Sequence, residues 1–447
     1  MAPERMDRMR CALLMTGGIA ALAIASHADG VRPPLRTADG EPLCAIYYFP
    51  QWWEPWKSQD DAVRRDLALL KSKGVNTLLI DHEWSQAIDG DWRWLDRGHR
   101  LAKEAGLGIV PWLSLKTWSD MASDPGRIRL VKEQYGVDLA IGVDQDGNPS
   151  TPLVYDEGTI EAGYRYTKAY LDRYLTDGAM ARVLSEGKAR PVVALTVEVS
   201  WDRGSFDDRT NALFREWLTE RYGSVQALND AWGTTYADMA AVEPRGKAVF
   251  DYEGRIAGTA QHPAAVEDHV EFRSLMINQG LTRIRERILA DYPDVLIATE
   301  MPYQLGSQHP HAVSFRIAYG SNPSAAGHAD ILFLRMTGPL DAAEARTLDD
   351  YLERTGQRAV LCYRTYSDWG APSGGLTVDD VARIYARGAA EHADGVGFYS
   401  WNECVDVHLT APGEGSPDND WAVPQKVADR MQSQAWRIVE LFREMTQ

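Results

Sequence analysis

The 447-residue chain is 45% hydrophobic and 25% charged, enough apolar matter for a large core, which excludes a disordered protein. Its 47 basic against 64 acidic residues, a formal charge of -17, argue against nucleic acid or an anionic membrane as partner, and four cysteines are too few for a disulfide scaffold. The unusual feature is aromatic: 15 Trp and 19 Tyr stand against 9 Phe, side chains that join a flat apolar face to a polar edge.

The first residues read as an export signal. Arg5, Arg8 and Arg10 precede an apolar stretch from Cys11 to Ile24, and Ser26-His27-Ala28 offers small residues for cleavage. Residues 1–28 are therefore expected to be a signal peptide, and the remainder a secreted or periplasmic protein. The stretch is short for a membrane span, and no later segment approaches about 18 uninterrupted apolar residues. No membrane contact is expected after cleavage. Cys44, Cys362 and Cys404 lie in or beside apolar runs and read as small buried residues rather than nucleophiles.

From residue 44 onward, short Val-, Ile-, Leu- and Tyr-rich runs alternate with amphipathic stretches. Strands are predicted at Cys44–Phe49, Asn76–Asp81, Leu107–Leu113, Val192–Glu198, Val295–Glu300, Ile331–Arg335, Ala359–Tyr363 and Val396–Trp401. Helices are predicted near Asp61–Lys73, Arg93–Ala105, Ile160–Leu175, Arg209–Tyr222, Val266–Asp291, Asp341–Thr355, Val378–Ala393 and Pro424–Glu444. Eight strands alternating with eight helices predict parallel strands with right-handed crossovers, closing into a (β/α)8 barrel, one TIM-barrel domain over residues 29–447. An open doubly wound sheet would carry a Gly-rich phosphate turn after its first strand. Here that turn reads Pro50-Gln51-Trp52-Trp53. The long excursions, 114–158 and 223–264, are expected to follow strand ends and build a cleft at the C-terminal face.

At those ends, acids recur beside Trp or Tyr. Strand one runs into Tyr47-Tyr48-Phe49-Pro50-Gln51-Trp52-Trp53, strand two into Asp81-His82-Glu83-Trp84, and strand three carries Trp112. Strand four ends in Glu198 with Trp201 close behind, and strand five in Glu300-Met301-Pro302-Tyr303. Strand seven runs into Tyr363-Arg364, and strand eight into Ser400-Trp401-Asn402-Glu403-Cys404-Val405-Asp406. Nine of the fifteen Trp fall at such ends (Trp52, Trp53, Trp56, Trp84, Trp112, Trp118, Trp201, Trp369, Trp401). A sugar ring offers C–H bonds on one face and hydroxyls at its rim, which aromatic faces and carboxylates or amides match. Cleaving a glycosidic bond takes two carboxyl groups, one to protonate the leaving oxygen and one to attack or to activate water.

Rival chemistries lack their motifs. There is no His-Glu-x-x-His and no Gly-x-Ser-x-Gly. Asp81, His82 and Glu83 are adjacent along a strand and face alternate sides, so they do not converge on a metal. Asp144-Gln145-Asp146-Gly147-Asn148 lacks the later Glu of an EF-hand and reads as a turn. No metal and no cofactor are expected.

The run Phe214-Arg215-Glu216-Trp217-Leu218-Thr219-Glu220-Arg221-Tyr222-Gly223, continuing through Leu228-Asn229-Asp230-Ala231-Trp232-Gly233, resembles a signature of family 42 β-galactosidases and related clan A barrel glycosidases. So does the next long helix with Phe272-Arg273 and Asp291-Tyr292-Pro293. The resemblance is motif-grade over residues 190–300. It implies an acid/base Glu at the end of strand four, the position of Glu198, although Val197 stands where the family has Asn. It also implies a nucleophilic Glu at the end of strand seven, where this chain reads Cys362-Tyr363-Arg364. A second segment, Ser400-Trp401-Asn402-Glu403 with Asp406, is similar to the strand-eight motif of family 99 glycosidases, in which both acids are catalytic. Tyr47-Tyr48-Phe49-Pro50 is similar to that group's first strand.

The expected catalytic set is therefore Glu198 as acid/base with Glu403 as partner, then Glu300 and Asp406. Tyr48, Trp53, Glu83, Trp112, Trp201, Tyr303, Arg364, Trp401 and Asn402 are expected to bind the sugar. The expected substrate is an oligo- or polysaccharide. A barrel that binds carbohydrate without turnover is the second reading, motivated by the missing strand-seven Glu. A polysaccharide lyase using Lys116, Arg203 or Arg364 is the third.

Overall fold

The computed structural model describes residues 32–51, 55–113, 115, 125–196, 205–302, 316–317, 322–336, 338–364, 377–404 and 425–447. In chain order the elements are β1 (Cys44–Tyr47), α1 (Asp60–Ser72), β2 (Thr77–Asp81), α2 (Arg93–Ala105), β3 (Gly108–Trp112), α3 (Pro125–Tyr135), β4 (Ile141–Val143), β5 (Pro149–Pro152) and α4 (Glu157–Tyr174). Next come β6 (Arg182–Ser185), β7 (Lys188–Thr196), α5 (Asp208–Tyr222), α6 (Val225–Trp232), α7 (Tyr252–Ala257), α8 (Pro263–Asp291), β8 (Leu296–Pro302) and β9 (Ile331–Met336). The chain finishes with α9 (Ala342–Thr355), β10 (Arg358–Arg364), α10 (Val378–His392), β11 (Gly395–Tyr399), α11 (Trp401–Cys404) and α12 (Gln425–Thr446).

Eight of these strands form the barrel. The parallel order is β3-β2-β1-β11-β10-β9-β8-β7, and Trp112 of β3 pairs with Ala194 of β7 to close the ring. The alternation of strand and amphipathic stretch thus produces the closed (β/α)8 barrel that it predicts, and all eight expected strands are present within a few residues. Helix ends follow local chemistry. Asp341 and Thr377 form capping boxes at the starts of α9 and α10, and Gly106 ends α2 in the left-handed region at φ 66°.

Alternation along the strands separates two cores. Ala45, Tyr47, Leu79, Val110, Trp112, Val192, Ala194, Ala298, Phe333, Val360 and Cys362 fill the barrel interior. Their neighbours Cys44, Ile46, Tyr48, Leu78, Ile80, Ile109, Val193, Leu195, Leu361 and Tyr363 face the surrounding helices. Gly397 is an interior position where a Cβ would stand 2.9 Å from Cys362 Sγ, so a side chain there would collide with the thiol. The N-terminal end of the barrel is plugged by Leu35, Leu43, Ala181 and Val183, held by bridges Arg36–Pro42 and Thr37–Val183.

Two excursions carry structure that the sequence periodicity does not announce. The first contains α3 and the antiparallel hairpin β4–β5. Its tip is Asp144–Asn148, where the Asp144 carboxylate accepts from the backbone N–H groups of Asp146 and Asn148 at 2.9 and 2.8 Å. That is a closed turn, as expected. The second excursion differs from expectation in its origin, because residues 223–264 follow helix α5 and not a strand end. The departure from the barrel begins after β7. There α5, α6 and α7 build a helical layer on the first half of α8 with a core of its own: Phe214, Leu218, Leu228, Trp232, Val242, Phe250 and Phe272. The two excursions meet where Gln145 Nε2 donates to the carbonyls of Pro244 and Phe250 at 3.3 and 2.8 Å.

Candidate active site

Inward residues toward the C-terminal ends of seven of the eight barrel strands fill the layers at the mouth. Tyr47 of β1, Trp112 of β3, Glu300 of β8 and Cys362 of β10 come from odd-numbered strands of the ring. Asp81 of β2, Arg335 of β9 and Tyr399 of β11 come from even-numbered ones. This is the layered filling expected of such a barrel. Tyr47 meets Trp112 edge-on at 4.3 Å and Tyr399 at 4.8 Å. The Arg335 guanidinium sits 4.9 Å above the Tyr399 ring, and its Nε lies 3.4 Å from Glu300 Oε1.

Glu300 and Arg335 are 0% and 4% exposed. In a low-dielectric interior each of these charges offsets part of the other's burial cost. Burial, followed by the neighbouring Cys362, pushes the Tyr47 hydroxyl well above its ordinary range. Burial does the same to the Cys362 thiol, whose Sγ contacts the Val360 carbonyl at 3.8 Å. A protonated, enclosed thiol is not a nucleophile, so Cys362 does not replace the acid missing from strand seven. Cys44 is also buried, its thiol pushed up to about 12 by burial. The side chain of Cys404 lies outside the described residues.

Asp81 is the feature the sequence reading passed over. It faces inward at the end of β2 and is 2% exposed, and its main chain is held on every side. Its carbonyl accepts from Gln51 Nε2 at 2.7 Å and Gln86 Nε2 at 3.3 Å. The next N–H, of His82, donates to Trp112 O at 2.9 Å, and the His82 carbonyl accepts from Tyr166 at 2.6 Å. The His82 ring opens a buried chain. Its Nδ1 is 2.7 Å from Tyr170 Oη, which is 2.5 Å from His99 Nε2, and His99 Nδ1 is 2.6 Å from Asp177. Burial, then the adjacent His99, lowers the His82 pKa well below its usual value. Period-two alternation from Leu79 was the signal that pointed to Asp81.

The expected site residues divide in three. Glu198, Trp53, Trp201, Tyr303 and Asp406 lie outside the described residues. So do the side chains of Glu403, on α11, and Arg364, at the end of β10. Glu300 and Trp112 are at the mouth layer, but enclosed. Trp112 packs edge-on against Tyr47 and is 2% exposed, which is at odds with its expected contact with the sugar. Glu83 is half-buried at the start of a single 3₁₀ turn after β2.

Tyr48 and Trp401 are corrected more sharply. Both face away from the barrel interior, are buried, and point their polar edges at Asp66 of α1. The Asp66 Oδ2 accepts from Tyr48 Oη at 3.4 Å, Trp401 Nε1 at 2.8 Å and Trp56 Nε1 at 2.5 Å. Burial nevertheless raises the Asp66 pKa, with those three donors opposing it. Asn402 is likewise structural on one side, its Oδ1 accepting from the Phe49 N–H at 2.6 Å. Among the described residues, no three His, Cys, Asp or Glu side chains gather to hold a metal ion, and no helix is long and apolar enough to cross a membrane.

With this geometry in place, the comparisons with known proteins gain meaning. The family 42 glycoside hydrolase model, described as β-galactosidase, matches residues 170–315, from the end of α4 through β7 and α8 and past β8. A β-galactosidase of Halorubrum lacusprofundi is 23% identical over 416 residues, covering 84% of this chain and 53% of that relative. Over that stretch the chain is similar to the family 42 β-galactosidases. It spans about half the length of that curated relative.

Among solved structures, the catalytic domain of a β-amylase from Paenibacillus polymyxa matches with TM-score 0.55 at 14% identity, covering 87% of this chain and 97% of that one. A β-galactosidase structure from Halorubrum lacusprofundi matches with TM-score 0.52 at 17% identity, covering 89% and 57%. These are likenesses of fold. The family 42 match takes in the strand-four end with Glu198 and stops before strand seven, where Cys362 departs from the family pattern. The likeness of residues 400–406 to family 99 is not confirmed by these matches.

Proposed function

We propose that the chain is an exported glycoside hydrolase that cleaves an O-glycosidic bond of an oligo- or polysaccharide at the C-terminal mouth of the barrel, with residues 1–28 serving as its signal. The observation that carries this reading is a closed barrel, related to family 42, whose mouth layers bring acids and aromatics inward from several strands. Glu198 is the acid/base. It protonates the leaving oxygen while a second carboxylate attacks the anomeric carbon or activates water. Glu403 is the first partner and Asp406 the second. Glu300, enclosed and paired with Arg335, fixes the charge beneath the site instead of attacking. Asp81 joins the set as an inward carboxylate of the mouth layer. The β-galactosides named for the relatives are the first substrates to test.

Glu198→Gln and Glu403→Gln should each lower kcat on an active glycan by about 10²–10⁴-fold with KM little changed. Near wild-type turnover in both variants would sink the assignment. The barrel that binds without turnover keeps one argument, the enclosed Cys362 where the family carries its strand-seven acid. Glycan binding by calorimetry, with no product from any member of a panel that includes β-galactosides, would favour it.

A further inference from the structure

We propose that the helical layer beside strand four contains a buried site for a small monovalent anion of the halide class, centred on Arg273. Arg273 lies on α8 and is 1% exposed. A guanidinium cannot escape burial by losing its proton, and leaving one unpaired in the interior is strongly unfavourable. Yet its Nε and Nη2 hydrogens have no hydrogen-bond partner, and no carboxylate among the described residues pairs with it.

The neighbouring acids are all engaged elsewhere. Glu267 pairs with Arg255 and Arg316. Asp268 accepts from Tyr222 and Trp232 and pairs with Arg221. Glu271 accepts from Asn322 and Ser324. On the flanking segments, Asp207 caps α5 through Thr210, and Asp251 caps α7 through Gly254.

The surroundings suit a small anion. The guanidinium carbon stands 5.8 Å from the Phe206 ring and 5.6 Å from the Tyr252 ring, two aromatic walls. The Tyr252 hydroxyl also contacts His269, one turn before Arg273. His269 is neutral, since burial and then Arg273 drive its pKa well below the usual value, and so adds no second charge. Ser205, next to Phe206, is fully buried with its hydroxyl unpartnered. Two buried guanidinium nitrogens, Nε and Nη2, therefore lie without a hydrogen-bond acceptor between the Phe206 and Tyr252 rings, and the Ser205 hydroxyl beside Phe206 is a further buried donor without a partner. A single-charged ion that sheds its hydration easily meets that need, and one bound ion restores neutrality.

The test uses the whole chain, first stripped of halide by dialysis into sodium gluconate. Chloride or bromide, added at constant ionic strength, should raise the thermal midpoint saturably, by about 2–6 °C at saturation. In Arg273→Met the midpoint should be the same in gluconate and chloride. Should that variant not fold, bromide-soaked crystals of the unaltered protein provide a second reading, with an anomalous peak expected in contact with the Arg273 nitrogens. A halide response that persists in Arg273→Met overturns the proposal. So does a wild-type midpoint indifferent to halide together with no bromide at Arg273.

Discussion

The same end of the barrel holds two carboxylates met by aromatic side chains, one buried and one half-buried, and they are kept by opposite means. Inside, Glu300 is met by a full positive charge from Arg335, with Tyr47, Trp112 and Tyr399 around the pair. Outside, in the layer between barrel and helices, Asp66 is met by neutral donors from Tyr48, Trp56 and Trp401. The inner acid therefore belongs to a charge pair that fails if one member is lost. The outer acid belongs to a hydrogen-bond cluster that can also be satisfied with a proton in place. In sequence only one of the two stands out: Glu300 lies in a strand, whereas Asp66 sits within α1 and meets its aromatic donors only in the fold. What separates them is strand period: Tyr47 faces in and Tyr48 faces out.

The largest effect should come from breaking the inner pair. Arg335→Met removes the buried positive charge 3.4 Å from the Glu300 carboxylate, and the expected loss is about 3–5 kcal/mol, read as a lower urea midpoint. The double variant Arg335→Met with Glu300→Met removes both charges and should recover most of that loss. If the single variant unfolds at the wild-type midpoint, Glu300 is not dependent on Arg335 and the contrast with Asp66 collapses.

Asp66→Leu should cost less, about 1–3 kcal/mol, because it strands hydrogen-bond donors rather than a charge. The pH dependence gives a sharper signature. The folded-state pKa of Asp66 lies above its ordinary 3.8, so the folded protein holds this proton more tightly than the unfolded chain. The stability contributed is fully present below the unfolded pKa and is lost as pH rises through the folded value. Relative to wild type, Asp66→Asn should therefore gain stability as pH rises from about 4 toward neutrality, measured by urea unfolding at each pH. A parallel pair of curves would show that Asp66 does not titrate differently in the fold.

These two acids also mark how far the sequence could be read. The barrel was legible because parallel strands buried on both faces alternate with helices whose ends carry their own caps, as at Gly106, Asp341 and Thr377. The helical layer of α6 and α7 was not. Its elements are short, and their apolar residues serve a local core around Phe214 and Trp232 rather than the strand–helix rhythm. Within the site, Trp at strand ends suggested open sugar platforms. Trp56, Trp84, Trp112 and Trp401, the strand-end tryptophans the structure describes, are each at most 2% exposed. Residue type near a strand end does not tell which layer a ring enters. Alternation counted from a core residue does, and that count also singles out Asp81 and Arg335, which composition alone passed over.

The smallest effect concerns a third network, which tests whether neutral clusters of the outer layer behave alike. Tyr170 joins His82 to His99 by its single hydroxyl, and Asp177 ends the chain. Tyr170→Phe keeps the packing and removes one hydrogen-bonding oxygen, leaving a nitrogen of each ring without it, an expected loss of about 1 kcal/mol. Its pH signature should be opposite in sign to that of Asp66. The His82 pKa in the fold is depressed below its ordinary 6.5, so the unfolded chain takes up the proton first. Stability is present above about pH 6.5 and is lost as pH falls toward the folded value. His82→Asn should flatten that acid-side loss, whereas Asp66→Asn should flatten the loss on the way up. If His82→Asn leaves the acid-side slope unchanged, His82 titrates no differently in the fold than in the unfolded chain, and the network rests on packing around Tyr170 rather than on its hydrogen bonds.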